Sequence, residues 1–343
     1  MLDDLKVIHE RDSQDALGVN AKQWQQLLHE YNVPFVHKEP ILNVVVAGMG
    51  GSALGALFVQ AWPGLAVPFE VVRTYMLPQY IGVQTLVVVS SYSGNTEETL
   101  QALSEAESKG AQIVVLASGG KLEERALQAG HMFYKLPLAS QPRYAALNTV
   151  MALVELFVSC GLLPQDKLAE LRASSSWLEQ QIATWLPQIP TAKNQAKQIA
   201  QEIIGKSAVI YAGPLLAPAA YKWKISINEN AKQVAWWGQY PEFNHNEFLG
   251  WTKQPQDKPY TVIDLRSNLE HVRVQKRFEV SERLLSGVRP SPIIVQVTGE
   301  SHLQQLLWTI ALGDFVSLYT ALLNGLNPTP VDLIEKFKHS LDA

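Results

Sequence analysis

The sequence is short of cysteine, of charge and of long apolar runs, and each shortage excludes a class of protein. Its 343 residues include one cysteine, so no intrachain disulfide can form, which is typical of a reducing compartment. It has no run of about 18 apolar residues, which a membrane-spanning helix would need. Charged residues make up 17% and the net charge is −4, which gives nucleic-acid binding little electrostatic support. We therefore expect neither nucleic acid nor a membrane as a partner.

The start of the chain also lacks the positive and apolar segments of a signal peptide. Residues 1–6 are acidic, so we expect a cytoplasmic protein. The hydrophobic fraction of 47% and the length predict a large core and two domains of ordinary size. Cys160 lies in an apolar helical run, 145–163, and we interpret it as a small buried core residue.

The first half of the chain alternates continuous apolar runs with helical patterns. Trp24, Leu27 and Tyr31 recur at helical spacing, which predicts a helix over 20–31. Apolar strands separated by helices indicate a parallel sheet that is covered on both faces. The predicted strands are 42–47, 69–73, 85–90 and 113–117, and helices are predicted to begin at Ser52, Thr96 and Leu122.

The second half repeats this organisation after a long helical region, 168–204, which prolines interrupt. Residues 44–48 and 209–213 are similar apolar strands that end in glycine, which suggests an internal duplication. We expect an α/β fold with two domains, 1–160 and 161–343. The strands predicted in the second half are 208–212, 260–265 and 293–297, and the last predicted helix is 303–323.

A glycine-rich segment, Gly48-Met49-Gly50-Gly51-Ser52, follows the first predicted strand and opens a helix. Backbone N–H groups and the helix dipole make this position an anion site, and a phosphate fits it. The segment has neither the lysine of a Walker loop nor the third glycine of a dinucleotide fingerprint. The alternative is a tight turn that needs glycines and binds nothing.

A second segment, Ser91-Tyr92-Ser93-Gly94-Asn95-Thr96-Glu97-Glu98, lies between another predicted strand and helix. Its three hydroxyl groups and one glycine can surround a tetrahedral anion without a cation. The alternative is a helix N-terminus with Asn95 as cap and Glu98 in a capping box. Two such loops at the ends of strands lie where open α/β sheets bind ligands, so together they favour phosphate binding.

A carboxylate and an imidazole occur further along the chain, Glu229 in Asn228-Glu229-Asn230 and His245 in the polar run 241–247. Moving a proton between neighbouring sugar carbons requires this pair of groups. The plain alternatives are a solvated Glu229 paired with Lys232, and a structural His245 bonded by Asn244 or Glu247. Metal binding is a poor alternative, because the spacing of His245 and Glu247 does not match a common ligand set.

The two serine- and glycine-rich loops resemble those of the sugar isomerase (SIS) domain, which is a flavodoxin-like fold for phosphosugars. From residues 3–17 to the segment 330–336, the whole chain resembles the bifunctional phosphoglucose/phosphomannose isomerases. The resemblance implies two SIS domains with parallel sheets covered by helices, plus N- and C-terminal helices. It also implies a reaction without cofactor or metal.

The resemblance implies a role for each site residue. Glu229 would be the catalytic base, His245 would open the sugar ring, and Arg143 would stabilise the enediolate. Lys336 would act at the ring oxygen, and a small Thr329 near C1 and C2 would let the enediol rotate. One departure is Ala53, where many relatives have glycine. The residues implied to hold the phosphate are Gly51, Ser52, Ser91, Ser93 and Thr96.

The implied activity is isomerisation of glucose 6-phosphate or mannose 6-phosphate and fructose 6-phosphate through a cis-enediol(ate). The resemblance also implies a homodimer with composite sites, Glu229 coming from one subunit and His245 from the other. The apolar residues Trp236, Trp237 and Phe243 could be buried between subunits. The alternatives are an isomerase of another phosphosugar and a catalytically silent phosphosugar sensor.

Overall fold

The computed structural model of the chain describes residues 1–35, 38–253 and 259–341. The chain divides into two compact units, one of residues 22–177 and one of residues 1–21 with 178–343. Each unit is built on one parallel sheet with helices. The predicted α/β fold with two parallel sheets is confirmed.

The helices and strands follow one another in regular alternation through most of the chain. Up to residue 183 they are α1 (Leu5–Arg11), α2 (Ala16–Ala21), β1 (Asn43–Gly48), α3 (Gly50–Ala61), β2 (Phe69–Val72), β3 (Thr85–Ser90), α4 (Glu97–Ser108), β4 (Gln112–Ala117), α5 (Gly120–Ala129), β5 (Met132–Lys135), α6 (Ala146–Ser159) and α7 (Gln165–Ala183). The remainder comprises α8 (Gln195–Ile203), β6 (Ser207–Ala212), α9 (Ala217–Ala231), β7 (Ala235–Gln239), α10 (Glu247–Gly250), β8 (Tyr260–Arg266), α11 (Val272–Leu284), β9 (Ile293–Gln296), α12 (His302–Leu323) and α13 (Asp332–Leu341).

The sheet of the 22–177 unit has the strand order β2-β1-β3-β4-β5, with every neighbouring pair parallel. Val45 and Val87 pack on one face with Leu103 of α4 and Leu122 of α5. Val44 lies on the opposite face and is also fully buried, so both faces are covered. The carboxyl ends of β1, β3 and β4 meet at one edge of the sheet, where open α/β folds bind ligands.

The other unit has the strand order β7-β6-β8-β9, again all parallel. Taken in chain order, its four strands occupy the same relative places as β2-β1-β3-β4 in the first sheet. This shared order supports the predicted internal duplication. Because the topology is the same, the loop after β6 corresponds to the loop after β1, and the loop after β8 to the loop after β3.

The core of the second unit is organised around α12, which is buried along nearly its whole length. This helix has the length and hydropathy of a membrane-spanning segment, with a mean hydropathy of 1.6 over 18 residues. Within the fold, 94% of that window is buried. A buried core helix passes the same test, so composition alone does not make α12 a membrane helix.

The N-terminal residues belong to the unit formed by the C-terminal half. Nζ of the buried Lys197 donates to Oδ1 of Asp3 at 3.2 Å, and the N–H of Thr191 donates to the same oxygen at 2.8 Å. Arg11 donates to the carbonyl of Leu322 at the end of α12. The units therefore differ from the predicted division after residue 160, since residues 1–21 join the second unit and residues 161–177 the first.

The helix predicted over 20–31 is wrong in type and length. α2 ends at Ala21, a 3₁₀ helix covers Gln23–Leu28, and the two fall in different units. Tertiary contacts override local propensity here, because the Gln26 amide donates to the carbonyl of Tyr144 at 2.6 Å. The prediction for Cys160 fits its 5% exposure, and burial raises the pKa of its thiol to about 12.

Candidate functional site

The first glycine-rich loop, residues 48–52, joins β1 to α3. Its N-cap residue, Met49, makes no side-chain hydrogen bond to the first turn of α3. Gly50 has φ of +49°, and a Cβ at this position would meet nothing within 4 Å. The helix therefore begins beside open space, with N–H groups that can bind an anion. On the inner side, Oγ of Ser52 accepts the N–H of Tyr92 at 2.8 Å, which joins this loop to the second one.

The second loop places two predicted hydroxyl groups together. Oγ of Ser91 and Oγ1 of Thr96 are 2.8 Å apart, and Ser91 is 1% exposed. Ser93 is exposed, and its Oγ accepts the N–H of Asn95 at 3.3 Å. The capping alternative with Asn95 as cap is wrong, because Thr96 is the N-cap residue of α4 and no side-chain cap bond forms. The Thr96 hydroxyl faces Ser91 instead.

A third loop, residues 118–120, borders the second one and was missed in the sequence. A Cβ on Gly94 would lie 1.8 Å from the carbonyl oxygen of Gly119, and one on Gly120 would lie 2.5 Å from that of Ser93. Only glycines allow this approach. The N–H of Lys121 donates to Oδ1 of Asn95 at 3.0 Å, so Asn95 braces α5. The available signal was the Ser-Gly-Gly triplet directly after the predicted strand 113–117.

Arg143 belongs to a 3₁₀ turn, Pro142–Tyr144, that lies against the first loop. A Cβ on Gly51 would lie 3.0 Å from the backbone nitrogen of Arg143, so a larger residue would push this turn away. The guanidinium is 1% exposed, donates to Oε1 of Gln141 at 3.1 Å and stands 4.7 Å from the centroid of the Tyr144 ring. The 22–177 unit thus brings Arg143 close to the first of the two loops that are predicted to bind phosphate.

Glu229 lies in the last turn of α9 and is half-buried. The helix ends at Lys232, which has φ of +53°. Its Nζ donates to the carbonyl of Asn327 at 3.1 Å and to that of Pro328 at 2.8 Å. Lys232 therefore ties the end of the helix that carries Glu229 to the segment that leads to Thr329.

Buried polar contacts hold α9 against α12 below Glu229. The Asn230 amide donates to Oγ of Ser317 at 2.8 Å, and Oγ of Ser226 donates to Oδ1 of Asp314 at 2.8 Å. Lys222 donates to the same carboxyl oxygen, and both members of this ion pair are almost fully buried. Polar partners at every fourth residue of α9 fix its rotation about its own axis, which determines where Glu229 points.

Thr329 and Lys336 belong to the same unit as Glu229. Thr329 is 3% exposed, and its N–H donates to Oδ1 of Asn327 at 3.0 Å. Lys336 is exposed on α13, the helix that also presents Leu333 and Phe337 at 81% and 63% exposure. An amphipathic helix with its apolar side chains in solvent is unusual for an isolated subunit.

His245 ends a 3₁₀ turn, Glu242–His245, and is exposed. Its ring makes no hydrogen bond with any residue that the structure describes. The alternative of a structural histidine bonded by Asn244 or Glu247 is therefore wrong, since Asn244 donates to Oγ of Ser281 at 2.8 Å. Glu247 accepts the hydroxyl of Tyr211.

The loop after β6, which corresponds to the first glycine-rich loop, is closed by a carboxylate. Oε1 of Glu270, from the loop after β8, accepts the N–H of Leu215 at 2.8 Å. A Cβ on Gly213 would lie 2.2 Å from the same oxygen. Glu270 is 5% exposed, and desolvation raises the pKa of its carboxyl while the Leu215 N–H lowers it. The side chain of Glu270 thus occupies the space beside this loop, whereas the space beside Gly50 in the related first loop is open.

Within the described ranges, no group of three or more His, Cys, Asp or Glu side chains is arranged to hold a metal ion. The 22–177 unit offers three loops at helix N-termini, with hydroxyl donors and a buried arginine. The other unit offers a carboxylate at a helix end and an exposed imidazole.

Comparison with known proteins identifies the family. A family model described as bacterial phospho-glucose isomerase C-terminal SIS domain matches residues 192–341. A bifunctional phosphoglucose/phosphomannose isomerase of Caldicellulosiruptor bescii is 36% identical over 313 residues, 89% of this chain and 91% of the relative. One from Aquifex aeolicus is 33% identical over 94% of this chain and 95% of the relative.

Solved structures show the same fold. A glucose-6-phosphate isomerase like protein from Thermus thermophilus aligns with a TM-score of 0.68 at 17% identity over 98% of both chains. The C-terminal domain of glucosamine-fructose-6-phosphate aminotransferase from Francisella tularensis gives 0.68 at 14% identity over 95% of this chain and 97% of that one. The identity with the relatives extends over most of their length as well as most of this chain, and the chain therefore belongs to the bifunctional phosphoglucose/phosphomannose isomerase family.

Proposed function

We propose that this protein is an aldose–ketose isomerase that interconverts glucose 6-phosphate or mannose 6-phosphate with fructose 6-phosphate. The observation that carries the proposal is the open space at the edge of the first sheet, where Ser91 and Thr96 pair their hydroxyl groups beside the start of α3. The relatives from Caldicellulosiruptor bescii and Aquifex aeolicus, both named bifunctional phosphoglucose/phosphomannose isomerases, support the same function.

The proposed phosphate contacts are backbone N–H groups and hydroxyl groups. Neutral donors at helix N-termini stabilise a dianion through oriented dipoles, and binding the phosphate holds the sugar that carries it in place. The residues proposed for this role are Gly51, Ser52, Ser91, Ser93 and Thr96.

The proposed chemistry passes through a cis-enediol(ate). His245 moves a proton at the ring oxygen and opens the ring, and Glu229 then takes the proton from C2 and returns it to C1. Arg143 stabilises the negative charge that develops on the enediolate oxygens. The small side chain of Thr329 leaves room for the enediol to rotate, which permits both C2 epimers. Lys336 assists at the ring oxygen.

We also propose a cytoplasmic homodimer in which Glu229 and His245 of one site come from different subunits. Trp236 is 57% exposed and α13 presents Leu333 at 81%, so each subunit offers apolar surface to a second copy. Phe243 is excluded from such an interface, because it is 1% exposed and packs against Tyr211 in its own subunit.

A second candidate function comes from one relative. A D-glucosamine-6-phosphate 4-epimerase of Sulfolobus acidocaldarius is 32% identical over 225 residues, 64% of this chain and 68% of the relative. Its match is shorter than those of the bifunctional isomerases. A silent phosphosugar sensor is the third candidate, and the combination of Glu229, His245 and Arg143 favours catalysis over it.

A coupled assay of the purified protein against a panel of phosphosugars tests the proposal. The panel contains glucose 6-phosphate, mannose 6-phosphate, fructose 6-phosphate and glucosamine 6-phosphate. We expect turnover of the first three. Turnover of glucosamine 6-phosphate alone would replace the proposal with the epimerase, and tight binding of all four without turnover would replace it with the sensor.

A further inference from the structure

The turn that carries His245 is fixed on both sides of an imidazole that itself makes no hydrogen bond to the described part of the chain. On the N-terminal side, the Asn244 amide donates to Oγ of Ser281 at 2.8 Å, and Nη1 of Arg277 donates to Oδ1 of Asn244 at 3.1 Å. Both partners belong to α11. The residue before His245 is therefore anchored to a regular helix.

On the C-terminal side, the anchor is Glu247, two residues after His245. Its Oε1 accepts the hydroxyl of Tyr211, a fully buried residue of β6. The indole N–H of Trp251 donates to the same hydroxyl oxygen at 3.0 Å, so the phenol is held from two directions. The link thus connects an exposed turn to the central strand of the second sheet.

A glycine makes this link possible. A Cβ on Gly238 of β7 would lie 2.7 Å from Cε1 of Tyr211 and 3.1 Å from Oε2 of Glu247. Any side chain at this position would separate the phenol from the carboxylate. Gly238 has an ordinary extended conformation, so the space beside it, and not its backbone freedom, accounts for the glycine.

The surroundings keep Tyr211 a hydrogen-bond donor. Its phenol pKa is raised, first by burial and then by the neighbouring Glu247 carboxylate. The guanidinium of Arg289, which is 7% exposed, stands 5.7 Å from the Tyr211 ring and 5.8 Å from the Phe243 ring. This cation–π contact packs the base of the turn against the strand.

We propose that Glu247, held by Tyr211, is a positioning residue for His245. The hydrogen bond between Tyr211 and Glu247 fixes the backbone after His245, and the contacts of Asn244 fix the backbone before it. The imidazole can therefore reach the sugar ring oxygen in one orientation. An unbraced histidine on an exposed turn would sample many orientations, and a misplacement of about 1 Å can cost a hundredfold in rate. This inference rests on the proposed isomerase function and on ring opening by His245.

Ring opening can be measured apart from isomerisation. Ring opening and closing interconvert the α and β anomers of glucose 6-phosphate, whereas transfer of the C2 proton requires Glu229 in the proposed mechanism. In E229Q protein, exchange NMR should therefore detect accelerated anomer exchange without formation of fructose 6-phosphate. The isomerase assay of the unmodified protein is run beside it, so failure of the proposed function is recognised separately.

The test adds single changes to E229Q. Glu247→Ala should slow catalysed anomer exchange by about tenfold or more, and Tyr211→Phe should act in the same direction. Glu247→Gln retains an amide oxygen that can accept the Tyr211 hydroxyl, so it should stay within about twofold of E229Q. Tyr319→Phe removes a buried hydroxyl that donates to the carbonyl of Trp185, and it should change nothing.

In protein with Glu229 intact, Glu247→Ala should lower kcat for fructose 6-phosphate and leave KM within about twofold, because the phosphate loops are unaltered. Circular dichroism checks that each variant is folded. Three results would each overturn the proposal: unchanged anomer exchange in E229Q/E247A, equal losses for Gln and Ala at position 247, or no catalysed exchange in E229Q.

Discussion

Ser93 and Thr96 carry the hydroxyl groups proposed to bind phosphate in the second loop. Replacing both by alanine removes two hydrogen bonds to a charged ligand, each contributing about 1.5 to 3 kcal/mol. We expect KM for every 6-phosphosugar to rise at least about a hundredfold while the protein stays folded. Steady-state kinetics with glucose 6-phosphate and fructose 6-phosphate measure this effect.

Ser108→Ala is the matched control for that double variant. Ser108 lies in α4, the helix that Thr96 caps, but at its other end, where its hydroxyl donates to the carbonyl of Glu105. Its KM should equal that of the unmodified protein. An unchanged KM in the double variant would remove these hydroxyl groups from the site.

Glu229 is the proposed base, and Glu229→Gln keeps its shape but cannot accept a proton. A positioned general base contributes about a hundredfold or more, so kcat should fall by at least that factor. Glu279→Gln makes the same chemical change on the exposed face of α11 and should leave kcat unchanged. Near-normal turnover of the Glu229 variant would assign the proton transfer to another group.

The candidate site residues were proposed from the sequence, but their surroundings could not be. Ser91 and Thr96 were predicted from their hydroxyl groups, whereas their direct contact depends on how the loop closes over Gly94. The contact of Glu270 with the loop after β6 could not be predicted either. It requires the loops after β6 and β8 to be neighbours, and that is a property of the strand order.

At the scale of elements, buried strands were the most predictable part of the chain. β3 has the predicted bounds, since all six of its residues are buried and residues 86–89 form a continuous apolar run. β5 and β7 were missed because each mixes apolar and polar or small residues and is partly exposed, and β7 contains two solvent-facing tryptophans. Such segments lack the continuous apolar run on which the prediction depends.

Breaking the buried ion pair between α9 and α12 should destabilise the protein strongly. Replacing both members by apolar residues should have a much smaller effect on stability. Asp314→Ala leaves the Lys222 ammonium buried without its carboxylate, which should cost about 3 to 5 kcal/mol. The double change Lys222→Met with Asp314→Leu should recover most of that loss. Urea unfolding followed by circular dichroism measures the shift in midpoint.

Glu279→Ala serves as the comparison, because it breaks a surface pair with Lys276 whose members are 59% and 60% exposed. An exposed pair of this kind contributes about 0 to 1 kcal/mol. If Asp314→Ala shifts the midpoint no more than Glu279→Ala, the buried pair does not stabilise the packing of α9. If the double variant folds but loses kcat, the pair positions the helix that carries Glu229.

At the scale of the whole molecule, the proposed dimer can be tested by mixing two inactive proteins. When equal amounts of Glu229→Gln and His245→Ala protein are combined and their subunits exchange freely, half the dimers contain one subunit of each variant. If each site uses Glu229 of one chain and His245 of the other, a mixed dimer has one intact site, and about a quarter of all sites should recover. Native mass spectrometry shows whether exchange has occurred.

The two single variants, each incubated alone under the same conditions, are the controls for the mixture and should stay inactive. Exchange without any return of activity would place both residues in one chain. That outcome would exclude the shared site and leave the isomerase proposal standing.

The carboxylate of Glu270 makes the two similar units differ in their expected ability to bind phosphate. The loop after β6 already holds the Glu270 carboxylate, so it should not bind a phosphate from solution. One chain should therefore bind one phosphosugar and not two. The unit that contains this loop is also the unit that contains Glu229 and His245, the residues proposed for proton transfer. The proposed mechanism thus assigns phosphate binding to one unit and proton transfer to the other.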